Sequence, residues 1–357
     1  MRAVVLVGGR GTRLRPLTET LAKPLLPVVE VTIIERVLAH LAGHGIDEVV
    51  LSMGYQPDGF LAAFPQGRAA GVALHYAIEP EPLDTAGAIR FAALDAGIDE
   101  TFVVVNGDVL TDHDLGALVA FHQSAGAEAT LRLTPVEDPS RFGVVVVDED
   151  GLVRLFVEKP PPGTSPSNLV NAGTYVLEPR VIDRIEGGRR VSVERDTFPA
   201  IVADGRLFAL SSDAYWLDLG TPASYLRANT DLLCGVRGGL SGGVEISPGV
   251  WLEDDAVAPE HGIATSWFGV GSSAEDGATL EASVVGAGAR VATGATIRGS
   301  VLLPGAEVDT DAVVEASIVG PGARVGAGAH LVGCVVGADT VAAAESVLID
   351  ARLPKPS

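Results

Sequence analysis

Over the first 235 residues, short apolar and β-branched runs at 3–7, 48–52, 101–105 and 129–133 alternate with stretches of helical period. Between the first two runs, Ile33, Ile34, Val37, Leu38 and Leu41 recur at the spacing of one buried helix face. Thr85 is placed to cap a second helix running through Leu94, and Asp114 to begin a third. This alternation predicts an α/β fold with a mostly parallel sheet, whose ligands collect outside the carboxyl ends of the strands. Gly8 follows the first run and Asn106-Gly107-Asp108 the third, so the two turns are expected to converge.

Near 235–243 the chain becomes glycine-rich and the helical pattern stops, which marks a linker. A repeat with a period of 17 residues follows: Ser283-Val284-Val285-Gly286 matches Ser300-Val301-Leu302, then Ser317-Ile318-Val319-Gly320, then Cys334-Val335-Val336-Gly337. Inside each period apolar residues recur six apart, as in Val291 and Ile297 or Val325 and Leu331. An amphipathic helix cannot carry that period, whereas a parallel β-helix of three short strands per coil does. The expected organisation is a catalytic domain over 1–235, a linker over 236–248 and a β-helix over 249–350. A solenoid end exposes unpaired strand edges, so packing onto a neighbour or onto the chain's own catalytic domain is expected, with a homo-oligomer as one outcome.

The loop after the first strand narrows the chemistry. Gly8-Gly9-Arg10-Gly11-Thr12-Arg13-Leu14-Arg15-Pro16 hangs three arginines on a glycine-rich backbone, and Lys23-Pro24 follows closely. Glycines let amide groups turn toward a ligand without a Cβ, so this loop reads as a polyphosphate site. It lacks the Gly-Lys-Ser/Thr ending of a Walker loop, and Leu14 stands where a dinucleotide fingerprint needs its third glycine. An ATPase and an NAD enzyme are therefore disfavoured.

Composition changes the picture at four points. The net charge of −21 argues against nucleic acid and requires any phosphate site to be locally basic, which this loop is. No apolar run is long enough to cross a membrane and no leader pattern opens the chain, so a soluble, cytoplasmic protein is expected. Cys234 and Cys334 have no metal or redox spacing and are expected to be small core residues. Of the 25 basic residues only Lys23, Lys159 and Lys355 are lysine, which draws attention to the two internal ones, each followed by proline.

Taken in order, the glycine-rich loop with Pro16-Leu17-Thr18, Lys23-Pro24, Asn106-Gly107-Asp108, Glu158-Lys159-Pro160, Asn171-Ala172-Gly173 and Trp216-Leu217-Asp218-Leu219-Gly220-Thr221-Pro222 resemble the sugar-1-phosphate nucleotidyltransferases. Within them the chain is most similar to the mannose-1-phosphate guanylyltransferases. That resemblance implies a Rossmann-like catalytic domain and a left-handed β-helix after it. It also implies attack by a sugar-1-phosphate oxygen on the α-phosphorus of a nucleoside triphosphate, releasing pyrophosphate.

Such a transfer asks a protein for in-line positioning and charge neutralisation, and Mg²⁺ prefers one or two carboxylates plus phosphate oxygens. Asp108 and Asp218 are the candidate metal ligands; an Asx-type turn for the first and a salt bridge for the second are the structural alternatives. By resemblance, Arg13 and Lys23 hold the triphosphate and neutralise the leaving pyrophosphate, with Gly8, Gly9, Gly11 and Thr12 supplying the nucleotide loop. Lys159 would contact the sugar phosphate and Glu158 the sugar hydroxyls, with Gly143 and Asn171 completing that pocket. A break at Pro160 is needed for Glu158 and Lys159 to face one side.

Glu79 opens a loop running to Thr85-Ala86-Gly87, at a position similar to one where thymidylyltransferases keep a glutamine. Guanine presents two adjacent donors, which suit a carboxylate, so Glu79 favours guanine and the expected pair is GTP with mannose-1-phosphate. Asp84 replaces a usual glycine beside the base, and Glu30-Val31-Thr32 replaces a usual Gly-x-Pro. The same reaction with dTTP or UTP and glucose-1-phosphate, or with a cyclitol phosphate such as valienol-1-phosphate, therefore stays open. So does a sugar-nucleotide-binding regulatory subunit without turnover. A β-helix acyltransferase would need His261 or His330 as its base.

Overall fold

The computed structural model describes residues 1–54 and 56–355. The chain divides into two compact units, Met1–Gly9 with Ile34–Trp216, and Arg10–Ile33 with the residues from Leu217 onward. Residues 10–33 and 217–235 thus group with the C-terminal strands in the second unit.

The first unit is built on a sheet whose centre is β1 (Ala3–Leu6), β2 (Glu48–Met53), β3 (Val72–Ile78) and β4 (Phe102–Asn106), all parallel, in the order β4-β1-β2-β3. Strands β6 (Ala129–Pro135), β7 (Gly143–Val147), β8 (Val153–Glu158) and β9 (Leu169–Leu177) extend it; β5 (Val109–Thr111) lies outside it. The β9 strand runs antiparallel to β4, β6 and β7, and β8 runs antiparallel to β7. The expected helices form as α1 (Ile33–Gly43), α2 (Asp84–Asp95) and α3 (Leu115–Ala125). All five apolar positions read on α1 are buried. Asp114 caps α3 by accepting from the Ala117 amide at 2.9 Å.

Thr85 does not cap α2, which begins one residue earlier, and its hydroxyl donates instead to Glu194 at 2.7 Å while accepting from the Val193 amide at 2.8 Å. The missed signal is Asp84: this residue sits at φ +60°, the left-handed region that glycine favours, and its own carboxylate accepts from the Thr85 amide. The backbone keeps a glycine-like shape although the residue is aspartate.

Between β5 and α3 the His113 side chain is fully buried, and neither ring nitrogen has a hydrogen-bond partner among the described residues. Burial, then the Arg132 guanidinium and the His40 imidazole, push it down to about 4. Because its folded value lies below the unfolded one, the unfolded chain binds the extra proton between those values. The stability it permits is present above about 6.5 and drains as pH falls toward 4. Chemical denaturation from pH 7 to 4.5 is expected to show His113→Phe losing less stability than the wild type, by on the order of 3 kcal/mol at most. Parallel curves for the two proteins would exclude His113 as the titrating group.

In the second unit, strands from Val250–Leu252 to Arg352–Leu353 stack into three parallel sheets, the arrangement of a left-handed β-helix. Its inward positions step along the hexads: Val285, Val291 and Ile297 in one coil, Leu302, Val308 and Val314 in the next. Three such side chains per coil, at roughly 1.5–3 kcal/mol each, make stacking favourable where a lone coil would not hold. The serine that opens each repeat is buried at a corner and accepts the amide one coil later, Ser317 N to Ser300 Oγ at 3.0 Å and Cys334 N to Ser317 Oγ at 2.9 Å. Cys334 is therefore a core residue as expected, whereas Cys234, just past the end of α4 (Pro222–Leu233), is exposed. Part of the expected linker is ordered, since Val244–Ser247 pairs antiparallel with Val250–Leu252.

One outer face of the solenoid is apolar. Trp267, Val284, Val301, Ile318 and Val335 are all buried although they lie outside its core, while the equivalent outer positions of another face carry Arg290, Glu307 and Arg324. Pro16 packs against Gly337 on this side, and residues 27–30 with α4 lie over its first coils. That stripe explains why 10–33 and 217–235 group with the repeats.

Candidate active site

In the first unit, β1 and β4 end side by side, with Leu6 in register with Asn106. The Gly107 amide donates to the Leu6 carbonyl at 2.9 Å, so the Asn106-Gly107-Asp108 turn lies against the strand that leads into Gly8, as expected. A Cβ at Gly107 would lie 2.6 Å from Val7, and one at Gly173 would overlap Asn106. Glycine is what lets the Asp108 and Asn171 turns approach so closely.

Glu79 follows β3 on the same unit. It accepts from the Leu83 amide at 3.0 Å through one carboxylate oxygen and from the Ser52 hydroxyl at 3.3 Å through the other. Gly8 and Gly54 flank the group, and the absence of their side chains leaves it room. At the start of α2 the Ala86 and Gly87 amides donate to the Val191 carbonyl. Thr85, Ala86 and Gly87 are thus anchored on 191–193 and fix the loop that carries Glu79.

The proposed sugar-phosphate residues lie on neighbouring strands. Gly143 begins β7 in register with Glu158 at the end of β8, and Asn171 is on β9, which also pairs with β7. A Cβ at Gly143 would stand 3.0 Å from the Glu158 carboxylate, so glycine makes space for that group. Lys159 adopts φ +49°, which ends the strand and turns its ammonium back to Glu158 at 2.8 Å. The break therefore falls one residue before Pro160, and the two side chains meet. Asn171 is held from both ends, donating to the Tyr175 hydroxyl at 2.9 Å and accepting from the Gly173 amide at 3.0 Å.

The second unit holds the cations of the glycine-rich loop and Lys23. Gly11 sits at φ +58°, where a Cβ would press on Thr18 and Lys23, and the Thr18 hydroxyl closes the turn onto the Gly11 carbonyl at 2.9 Å. Lys23 is only 5% exposed, and its ammonium lies 3.9 Å from the Asp218 carboxylate. Thr12 and Arg13 are exposed in the adjoining turn. Asp218 also accepts from the Gly220 amide at 2.6 Å. A Cβ at Gly220 would collide with both the Arg13 guanidinium and Asp218, so this glycine brings the three charged groups together. Gly220 is the residue that sequence reasoning quoted without a role; close approach is its role.

Asp108 and Asp218 offer hard carboxylate oxygens, and the described residues gather no cluster of three or more His, Cys, Asp or Glu side chains. A carboxylate of this kind, taken singly in either unit, is a ligand type that suits a small divalent cation drawing its remaining ligands from phosphate oxygens. Trp216 was also unassigned: its indole donates to the Ala172 carbonyl at 2.9 Å and its ring stands edge-on to Phe142 at 5.5 Å, which steadies the Asn171 strand.

A parallel sheet with acidic and glycine turns at its strand ends, and a cation-rich loop joined to a β-helix, define an enzyme that acts on phosphorylated substrates. Residues 2–234 match the family described as Nucleotidyl transferase, and the chain belongs to that family. Residues 270–356 match the GMPPB C-terminal domain. A mannose-1-phosphate guanylyltransferase of Mycobacterium tuberculosis is 41% identical over 79% of this chain and 79% of its own length. A mannose-1-phosphate guanyltransferase of Schizosaccharomyces pombe is 40% identical over 66% of each. Among solved structures, HddC from Yersinia pseudotuberculosis complexed with GMP-PN superposes with a TM-score of 0.56 at 28% identity, covering 64% of this chain and 97% of that one. No helix among the described residues is long and apolar enough to cross a membrane.

Proposed function

We propose that the chain joins GTP and mannose-1-phosphate to give GDP-mannose and pyrophosphate, with Mg²⁺ as the metal. The observation that carries the reaction is the buried Lys23 beside Asp218 and Arg13, a preformed group of charges on a glycine-shaped frame. The relatives' names and the carboxylate at position 79 support the substrate pair.

In this reading a phosphate oxygen of mannose-1-phosphate bonds to the α-phosphorus of GTP. The bond from that phosphorus to the β-bridging oxygen breaks, and pyrophosphate leaves with its electron pair. Arg13 and Lys23 neutralise the departing charge, each charge-assisted contact contributing roughly 1.5–3 kcal/mol. Glu158, Lys159 and Asn171 orient the sugar phosphate against attack from the wrong side. Asp108 and Asp218 would hold Mg²⁺, which supplies Lewis-acid stabilisation of charge on the phosphoryl oxygens. Glu79 reads the guanine N1–H and N2–H₂. A cytoplasmic location fits this chemistry.

Four NTPs offered against a panel of sugar-1-phosphates and cyclitol phosphates, with pyrophosphate release as readout, test the assignment. GTP with mannose-1-phosphate is expected to give the highest kcat/KM; a preference for dTTP or UTP with glucose-1-phosphate would replace it. We also propose a homo-oligomer, because the last coil leaves Val341, Val347 and Ile349 more than half exposed beside open strand edges. The same preparation is expected to sediment above the monomer mass of 36.7 kDa, and a monomer would refute that part.

A further inference from the structure

We infer that Glu194 is a positioning residue that couples the two substrate pockets, holding the nucleotide loop through Thr85 from a segment packed against the sugar-phosphate strands. The inference rests on the substrate pockets assigned above. Every residue concerned lies in the first unit. Glu194 belongs to Val193–Thr197, a π-helical turn that Ser192 caps by accepting from the Arg195 amide at 3.3 Å. Turns of this kind are rare and concentrate at functional sites.

On one side the turn is fastened to the nucleotide loop. The Leu83 carbonyl accepts from the Val191 amide at 3.0 Å, and the Val191 carbonyl accepts from the Ala86 and Gly87 amides. Leu83 gives its own amide to Glu79, the proposed base reader, at 3.0 Å. Thr85 closes the junction, because its hydroxyl accepts from the Val193 amide at 2.8 Å and donates to Glu194 Oε2 at 2.7 Å. The Ser192 hydroxyl donates to the same oxygen at 2.8 Å. Bonds to an ionised carboxylate are shorter and stronger than neutral ones, so Glu194 is held in one orientation.

On the other side the turn is fastened to the sugar-phosphate strands. Phe198, fully buried directly after the turn, stands edge-on to Tyr175 of β9 at 5.1 Å and tilted against Phe156 of β8 at 5.7 Å. The Tyr175 hydroxyl accepts from Asn171 at 2.9 Å, and Phe156 precedes Glu158 by two positions on its strand. Burial, then the Glu194 carboxylate, push the Tyr175 phenol up, and Glu158 adds to the effect. The charge of Glu194 therefore reaches the hydrogen bond that aims Asn171.

One rigid piece thus joins the pockets. When a nucleotide immobilises residues 79–87, Thr85 is fixed, Glu194 keeps its orientation, and the Tyr175–Asn171 pair meets the sugar phosphate with less left to order. Linkage makes the effect reciprocal. Glu194 itself need touch neither substrate.

Equilibrium dialysis on the full chain, with labelled mannose-1-phosphate and the α,β-methylene analogue of GTP as probes, tests this. The wild type is expected to bind mannose-1-phosphate about fivefold or more tightly once the analogue is bound. In Glu194→Ala that gain is expected to fall below about twofold, while mannose-1-phosphate alone binds as it does to the wild type. Turnover separates positioning from a structural role: KM for mannose-1-phosphate at saturating GTP is expected to rise about threefold or more in Glu194→Ala, with kcat within about twofold. Should that variant unfold, Thr85→Val deletes the same bond, keeps the branched shape and is expected to lose the gain as well. Thr85→Ser keeps the hydroxyl and is expected to retain it. The double variant losing no more than either single one marks the two residues as one unit, whereas additive losses would give them separate roles and overturn the coupling. No gain in the wild type, or a gain unchanged in both Glu194→Ala and Thr85→Val, also overturns the inference. Turnover with a different NTP or sugar phosphate would instead refute the substrate pair, and the same dialysis run with the active pair still decides the coupling.

Discussion

Asp218→Asn and Asp108→Asn are each expected to lower kcat by about 10³-fold or more, some 4 kcal/mol of transition-state stabilisation, with thermal unfolding little changed. The asparagine is chosen for Asp218 because its carbonyl can still accept from the Gly220 amide, which the native carboxylate does at 2.6 Å. What the substitution deletes is charge. Lys23, 5% exposed, then loses the carboxylate 3.9 Å away, and the proposed Mg²⁺ loses an anionic ligand. Pyrophosphate release at saturating GTP, across a magnesium titration, separates the two effects: a metal ligand shows a raised magnesium requirement, a purely structural aspartate does not. Near-normal turnover in either variant removes that residue from the metal site.

Glu79→Gln is expected to cost about 10²-fold or more in kcat/KM for GTP and to narrow the gap to dTTP and UTP by at least that factor. A site that hydrogen-bonds its substrate discriminates by roughly 10⁴–10⁵, and one mismatched edge forfeits a large part of that. The amide oxygen can still take the Leu83 amide that Glu79 holds at 3.0 Å, so the loop has reason to stay in place. Competition between GTP and dTTP in one reaction reads the ratio directly. An unchanged ratio would assign base choice to other groups and leave Glu79 as a loop anchor.

Much of the architecture was legible because it rests on periodicity. The five apolar positions of α1 and the hexad steps Val285, Val291 and Ile297 are repeats of a buried face, and burial is what a hydrophobic pattern records. Asp114 was legible as a cap because a short acidic side chain before an apolar helix has few other uses. Thr85 looked equally suited and was not a cap. A residue in the left-handed region at Asp84 moved the helix start, and no propensity announces aspartate there. The meeting of Glu158 and Lys159 depended in the same way on one positive φ.

Groupings made by long-range packing were not legible. Residues 10–33 are read naturally with the strand before them, yet they pack with the repeats because Trp267, Val284, Val301, Ile318 and Val335 form a second apolar stripe. That stripe is visible in the sequence as paired apolar residues at each repeat's opening, of which one faces the core and the other faces away. Gly220 escaped notice because a glycine's reason is the atoms that would otherwise collide with it, and those come from Arg13, far away in the chain.

The coil register has a further consequence for how this chain can change over time. Val284 pairs with Val301 and Val301 with Ile318, so each coil copies the last at a constant offset. Gain or loss of a single residue would rotate every later side chain off its wall, whereas adding or deleting a whole coil preserves the lattice. The repeat region is therefore free to lengthen or shorten only in quanta, like rungs on a ladder.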